Sequence, residues 1–370
     1  MNLFVFNPEH DIALASGLRS FTAPHAGRQL RHDLGFLPMI WAEEGDAVLV
    51  DDIELAHQSM QALGLDIKGL WVTSKTISHY LKQQPDDLKI VPWGWDAPIA
   101  TELSQIGCPK QSLPDDVQLR MIRQMSHRQW ANIHLLSPLS HMPGLIGQAH
   151  AATSIGEVEE AIAALKTIVV KAPWSSSGRG VRTISSPLAS GMRGWIGHVI
   201  ERQRCIMVEP YYQKVIDLGM EFQLNSDGSA HYEGLSLFDT ANGAYTGNRI
   251  DSEEDKEAIL FQYISPALWR SVKTALTALL HQHLAHYRGR LGIDMMVVST
   301  DDGLRLHPCV EMNLRSTMGH VALQLHRRYG LHHQSMQITY DGRYHLFIKS
   351  GCIKIEEVQK FRSSEVQSLQ

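Results

Sequence analysis

Four cysteines in 370 residues, at positions 108, 205, 309 and 352, are too few and too widely spaced for a disulfide framework or a thiolate metal site. Reduced thiols and a cytoplasmic location are the expectation. The opening MNLFVFNPEH agrees, having neither the basic segment nor the long apolar core of a secretory signal. No apolar run approaches the roughly 20 residues of a membrane span, so no membrane partner is expected. Positive charge is not in excess either. With 34 Lys and Arg against 39 Asp and Glu, the formal charge is −5, which leaves no basic field to gather nucleic acid or anionic lipid. A phosphate group has to be held locally. No G-x-x-x-x-G-K-[ST] segment is present, which excludes a P-loop, and there is no internal repeat or low-complexity tract.

What is present is enough chain for two or three domains. In the first hundred residues short apolar runs alternate with helical patterns: LFVF and then Pro8 to Ala15, AVLV and then Asp52 to Leu63, LKIVPW and then Ala97 to Ile106. This is the rhythm of βαβ units on a parallel sheet. The turn after the first strand is NPEHD, without the glycines that bring a backbone close to a pyrophosphate, so a dinucleotide site is not expected there. From Leu113 the texture changes. LPDDVQLRMIRQMSHRQWANIHL reads as one helix and SIGEVEEAIAAL as another, opened by a Ser154/Glu157 capping box. Beyond these, CIMVEPYY reads as a strand, GMEFQLNSDGSAHYEGLSLF as two strands joined at Asp227-Gly228, and Ser252 to Tyr287 as one long helix.

Two stretches carry chemistry. In IVVKAPWSSSGRGVR an apolar strand ends on Lys171 and drops into a loop of small polar residues. A lysine at a strand end reaches phosphate oxygens as a point charge, and Ser175, Ser176, Ser177, Gly178 and Gly180 let backbone N–H groups close over phosphates without clash. In LRLHPCVEMN a period of two puts Leu306, Val310 and Met312 on one face and Cys309, Glu311 and Asn313 on the other. If Asp302-Gly303 is the two-residue turn that this pair favours, residue 301 meets 304 and Asp294 falls opposite Glu311. Like charges facing each other on a sheet are destabilising. A hard divalent cation, Mg²⁺ with Mn²⁺ as the alternative, held by Asp294, Glu311 and Asn313 would neutralise them. A solvent-facing hairpin would read the same way without its partner stretch. The 20 histidines include HQHLAHY, where His281 and His283 face different ways with no cysteine nearby, which argues against zinc there.

Taken in order, Lys171 with SSSGRGV, then VEPYY, then GID, then EMN with Arg315 two residues on, resemble the motif set of the ATP-grasp superfamily, which includes D-alanine:D-alanine ligase, glutathione synthetase and biotin carboxylase. The resemblance spans about residues 113 to 330 and implies an α/β protein: an N-terminal Rossmann-like parallel-sheet domain followed by an ATP-grasp fold of two α+β subdomains. Expected boundaries are 1–112 for the first domain, 113–203 for the subdomain with the phosphate-covering loop, 204–350 for the subdomain with the metal site, and 351–370 for a tail.

The resemblance implies further roles. Backbone near Glu209 and Tyr211 would bind adenine, Glu221 or Asp217 would hold the ribose, and Arg128 and Arg249 would touch phosphate. Arg315 would hold an acyl phosphate or oxyanion, helped by a helix starting near Gly319. The activity implied is ATP-dependent joining of a small carboxylate to an amine through an acyl phosphate. A phosphotransferase acting on a hydroxyl, a nucleotide-binding protein without turnover and a homodimer remain open. Substrate is expected at the loops NPEHD and GWD, which leave strand ends in one parallel sheet. Glu9, His10, Asp11 and Asp96 would act there with Arg315 and Ser316, and Trp93 and Trp95 would form an aromatic wall. An amino acid or peptide end fits such a set.

Overall fold

A computed structural model describes residues 1–82, 88–175, 180–241 and 244–351 of the chain. The first domain is the expected parallel sheet. Strands β1 (Asn2–Val5), β2 (Ala47–Leu49), β3 (Leu70–Val72) and β4 (Lys89–Pro92) lie in the order β3-β2-β1-β4. The helices Ile53–Ala62 and Ala97–Gln105 are opened by Asp52 and Asp96, each accepting the amide three residues on. Two elements are not among those expected: β3, only three residues long, and the helix His25–Leu34, whose exposed face is polar. Because the chain runs outward from β1 to β3 and then returns to β4, the order reverses between β1 and β4. The loops after those two strands flank a topological switch point, where open α/β sheets bind ligands.

A second sheet of β5 (His150–Ala152), β6 (Thr167–Lys171), β7 (Val181–Ser185) and β8 (Ile206–Pro210) is antiparallel, in the order β5-β8-β6-β7. Together with helices Ile155–Leu165 and Ser190–Gln203 it closes a small core of its own. Of the capping box expected there, half is made. Ser154 accepts the Glu157 amide, but the Glu157 carboxylate takes the Thr153 amide at 2.9 Å.

The third sheet has seven antiparallel strands, β9 (Gln213–Leu224), β10 (Ala230–Ala241), β11 (Ala244–Ile250), β12 (Gly289–Thr300), β13 (Gly303–Asn313), β14 (Gln334–Tyr340) and β15 (Tyr344–Ser350), in the order β13-β12-β9-β10-β11-β14-β15. Helices cover one face around the fully buried Trp269. Val321, Ala322 and Leu325 of helix Met318–Tyr329 share a core with Phe4, Phe6 and Val48 of the parallel sheet, so the N-terminal domain is packed onto this layer.

Two expected long helices are each divided. The first breaks at Ser126 and His127. His127 Nδ1 accepts the Gln129 amide and opens helix Arg128–Ala131, with burial pushing the His127 imidazole down to about 4 so that it stays a neutral acceptor. The second breaks before Pro266, which cannot continue a helix and instead starts the next one under a Ser265 cap.

Candidate active site

Lys171 ends β6 with its Nζ buried, 2.6 Å from Glu209 Oε2 at the end of β8 and 3.3 Å from the Val310 carbonyl of β13. Arg128, first residue of its helix, does the same from the other side. Its guanidinium donates to the Ala172 carbonyl and to Ser175 Oγ at 2.8 Å, and it pairs with Glu311 Oε1 at 2.6 Å. Two buried cations thus tie the second sheet to β13. Gly180 sits against the same turn, accepting the Ala172 amide, and a Cβ on it would lie 2.4 Å from Ser175 Oγ. Only glycine fits this approach. Ser176, Ser177 and Gly178 lie outside the described residues.

Across the hairpin Asp294 does face Glu311, but by another route than the expected turn. The turn is Asp301-Asp302, with Thr300 opposite Gly303, and that register alone would put Cys309 opposite Asp294. A bulge between His307 and Glu311 adds two residues to β13 and moves Glu311 into place. Pro308, with no N–H to give the ladder, lies in this bulge. The same irregularity cancels the expected alternation, since Cys309 packs in the apolar cluster with Leu306 and Met312. Burial, and after it the Glu311 charge, push Asp294 up to about 7. The Asn313 amide donates to Asp294 Oδ2 at 3.0 Å, while its oxygen accepts from Arg315 at 2.9 Å. Paired carboxylates beside an amide oxygen, one of them resisting ionisation, form a donor set that fits a hard divalent cation.

Arg315 also binds Asp11 Oδ2, at 3.0 Å through Nε and 2.9 Å through a terminal nitrogen, and holds that carboxyl below its usual range against the effect of burial. The Ser316 amide donates to the Trp93 carbonyl at 2.7 Å. Both N-terminal loops therefore reach the hairpin, through Asp11 and through the backbone of Trp93. His10 is turned inward and Asp96 is almost wholly buried. His10 Nδ1 lies 3.1 Å from Asp96 Oδ2, and the Asn7 amide bridges Asp96 and the Gly94 carbonyl. Asp96 is at once the cap of helix Ala97–Gln105, so the pair locks the two loops together. Trp93 stacks edge-on against Phe6, and Trp95 packs into the core, so the aromatic wall is an internal one.

Glu9 pairs with Arg31 at 3.1 Å and borders an open cavity of about 430 Å³ at the carboxyl ends of the parallel strands, where Arg28, Asp51, Asp96 and Glu102 join it. Arg28, Arg31, Asp51 and Glu102 were not singled out from the sequence, because nothing local marks them; the fold brings them together from three separate segments. Glu209 was read only for its backbone, and its salt bridge to Lys171 likewise depends on the pairing of β6 with β8.

Of the two acids considered for ribose, Asp217 and Glu221 share a face of β9. Asp217 is partly exposed and accepts the Thr240 hydroxyl at 2.7 Å beside Lys214. Glu221 is 3 % exposed, wedged at the start of helix Met318–Tyr329, where a Cβ on Gly319 would lie 1.9 Å from its Oε1. That helix N-terminus, expected to face a substrate anion, is filled by Glu221. His320 Nδ1 accepts the Thr317 amide at 3.2 Å and its Nε2 faces the Phe222 carbonyl at 3.4 Å, so the ring is neutral with its proton on Nε2. Glu221 Oε2, 3.0 Å from that Nδ1 lone pair, has to carry a proton to be welcome there. Burial pushes this carboxyl from 4.5 up to about 8.

A pH dependence follows from the Glu221 shift. Between 4.5 and about 8 the unfolded chain has released the proton that the folded one keeps, so stability falls as pH rises through this interval and is level above it. Glu221→Gln is expected to remove that slope. Its thermal midpoint relative to the parent should climb steadily over the interval, and an offset that does not change with pH would show that Glu221 is ionised in the folded protein.

Tyr211 is 53 % exposed just beyond β8, open to a ligand on that edge. Arg249 is not brought to the cluster. It lies on β11, three strands from β12, and binds Asp251 at 2.7 Å.

Crystal structures similar to this chain over nearly its whole length include N5-carboxyaminoimidazole synthetase from Staphylococcus aureus in complex with ADP, at 10 % identity and a TM-score of 0.52, covering 98 % of this chain and 96 % of that one. Another structure of the same enzyme gives 11 % identity and 0.53, covering 99 % and 97 %. Biotin carboxylase from Campylobacter jejuni, in a β,γ-ATP complex, gives 13 % and 0.52 over 88 % of this chain and 67 % of that one. At such identities the likeness is one of architecture, and the chain has the ATP-grasp fold. No family model and no curated sequence matches it. Among the described residues no helix is long and apolar enough to cross a membrane.

Proposed function

We propose that the chain is an ATP-dependent ligase that joins a carboxylate to an amine. The observation that carries this reading is the single cluster in which Lys171, Arg128 and Arg315 converge on Asp294, Glu311 and Asn313 where the three sheets meet. The structural neighbours solved with ADP and with an ATP complex support a nucleotide at this place. Asp294, Glu311 and Asn313 would hold Mg²⁺, which would offset the negative charge of the phosphates as it moves.

The chain's own groups do the rest. Lys171 and Arg128 exchange their carboxylate partners for phosphate oxygens, and Ser175 and the turn at Gly180 cover them. Backbone at Glu209 and Tyr211 takes the adenine. Asp217, the more open acid, takes the ribose, and Glu221 keeps the helix start in place. A substrate carboxylate oxygen attacks the γ-phosphorus while ADP leaves with the electrons of the broken P–O bond. The amine nitrogen then attacks the carbonyl carbon, phosphate departs with the C–O electrons, and the amine gives up a proton. Arg315, held by Asp11 and Asn313, stabilises the oxyanion of that step. An amino acid or peptide end suits the cavity beside Glu9 and Arg28, which offers an acid for an ammonium group and a cation for a carboxylate.

The test is a screen of paired acids and amines, amino acids first, for ADP release, followed by hydroxylamine trapping of the active pair. A hydroxamate is the expected product. Phosphate transferred to an alcohol without any hydroxamate would replace the ligase by a phosphotransferase, and nucleotide binding without ADP release from any pair would remove catalysis.

A further inference from the structure

We infer a second metal site, for Zn²⁺ or a neighbouring late transition ion, made by Asp251, His332 and His333 on the far side of the large sheet from β12. One ligand atom from each of the three lies within 4.8 Å of the other two. The ladder of β11 and β14 pairs Ile250 with Gln334, so Asp251 and His333 continue it by one position, and the His333 amide donates to Asp251 Oδ1 at 3.1 Å. In extended chain two successive side chains point to opposite faces. Here they do not, because His333 has φ of +53°, and its ring lies 4.7 Å from that of His332. A left-handed conformation is uncommon for a residue other than glycine, and such backbone recurs at ligand sites. It puts two imidazoles on one side of the chain, next to a carboxylate.

The geometry suits the ion. In tetrahedral zinc, with bonds of about 2.0–2.2 Å to nitrogen and oxygen, neighbouring ligand atoms lie roughly 3.3 Å apart. His333 Nδ1 stands 3.2 Å from Asp251 Oδ1. His332 is exposed and offers the third ligand atom within 4.8 Å of the other two. Asp251 is fully buried and supported as ligating carboxylates usually are: Arg249 binds its other oxygen, Oδ2, at 2.7 Å. Imidazole with carboxylate selects Zn²⁺, Co²⁺, Ni²⁺ or Cu²⁺ over Mg²⁺ and Ca²⁺, which prefer all-oxygen sets. The site ties the segment after helix Met318–Tyr329 to β11, and the Gly351 amide closes on the His333 carbonyl at 3.1 Å.

Equilibrium dialysis of the full chain against Zn²⁺ in excess Mg²⁺ tests the inference independently of any catalysis. One zinc per chain is expected, with affinity lower by at least about 100-fold in His332→Ala and in His333→Gly, since loss of a ligand exceeds the loss seen for supporting residues. His333→Gly also relieves the left-handed backbone, so this variant should be no less stable without metal while it loses the ion. Co²⁺ in place of Zn²⁺ should show a four-coordinate visible spectrum without thiolate charge transfer. No retained zinc, equal retention by both variants, or thiolate bands would each overturn the assignment.

Discussion

Lys171→Met is expected to abolish ATP turnover, by at least about 10²–10³-fold, the loss seen when one preorganised charge or donor is removed from a transition state, and to weaken ATP binding with it. The environment of Lys171 adds a second effect that its place in the sequence does not show. Its ammonium and the Glu209 carboxylate are side chains only 7 % and 8 % exposed and pair at 2.6 Å. Removing one partner leaves the other charge buried and alone, a change that costs about 3–5 kcal/mol when the ion stays ionised. The single variant should therefore be visibly less stable as well as inactive. Adding Glu209→Gln should return most of that stability without returning turnover. Calorimetry and an ADP-release assay on the two proteins separate the roles. Normal ADP production by the Met variant would remove the nucleotide site from this cluster.

Glu311→Gln is nearly isosteric and should lower activity about 10²-fold or more while raising the Mg²⁺ concentration needed. The charge it removes serves two partners. It repels Asp294 across the hairpin, and it pairs with the buried Arg128 at 2.6 Å. Relief of the first is offset by loss of the second, so the nucleotide-free variant should gain little stability. The decisive quantity is the rise in thermal midpoint on adding Mg²⁺-nucleotide, which follows binding to the folded state. A rise equal to that of the parent would show that Glu311 is no metal ligand.

Much of this was legible along the chain. A turn at Asp302-Gly303 predicts Asp294 opposite Glu311; the turn lies one residue earlier, and the pairing holds because a bulge at Pro308 supplies two compensating residues. Period-2 patterning specifies which acids share a face; it does not specify register once a strand carries an insertion. Helix existence was clear at Ser252, where a cap and an acidic first turn mark a start, whereas the second start at Ser265 and Pro266 lies inside what reads as one long helix. Helix length was not, since an apolar pattern continues smoothly through a break. Glu221 resembled a ribose ligand by sequence, and only the arrival of Gly319 and His320 from a helix about a hundred residues later makes it a buried, proton-bearing acid.

By itself the sequence determined the parallel sheet at the start, the lysine before its small-residue loop and the acidic hairpin with Asn313 and Arg315, because each depends on local periodicity and on residue types whose chemistry is their own. The tertiary structure alone decided the partners. Arg128 meets Glu311, Lys171 meets Glu209, Asp11 meets Arg315, and His333 meets Asp251 across the edge of a sheet. Charges in a buried site take the nearest opposite charge that packing delivers, and what packing delivers comes from segments up to three hundred residues apart, a distance at which no pattern in the chain constrains the pairing.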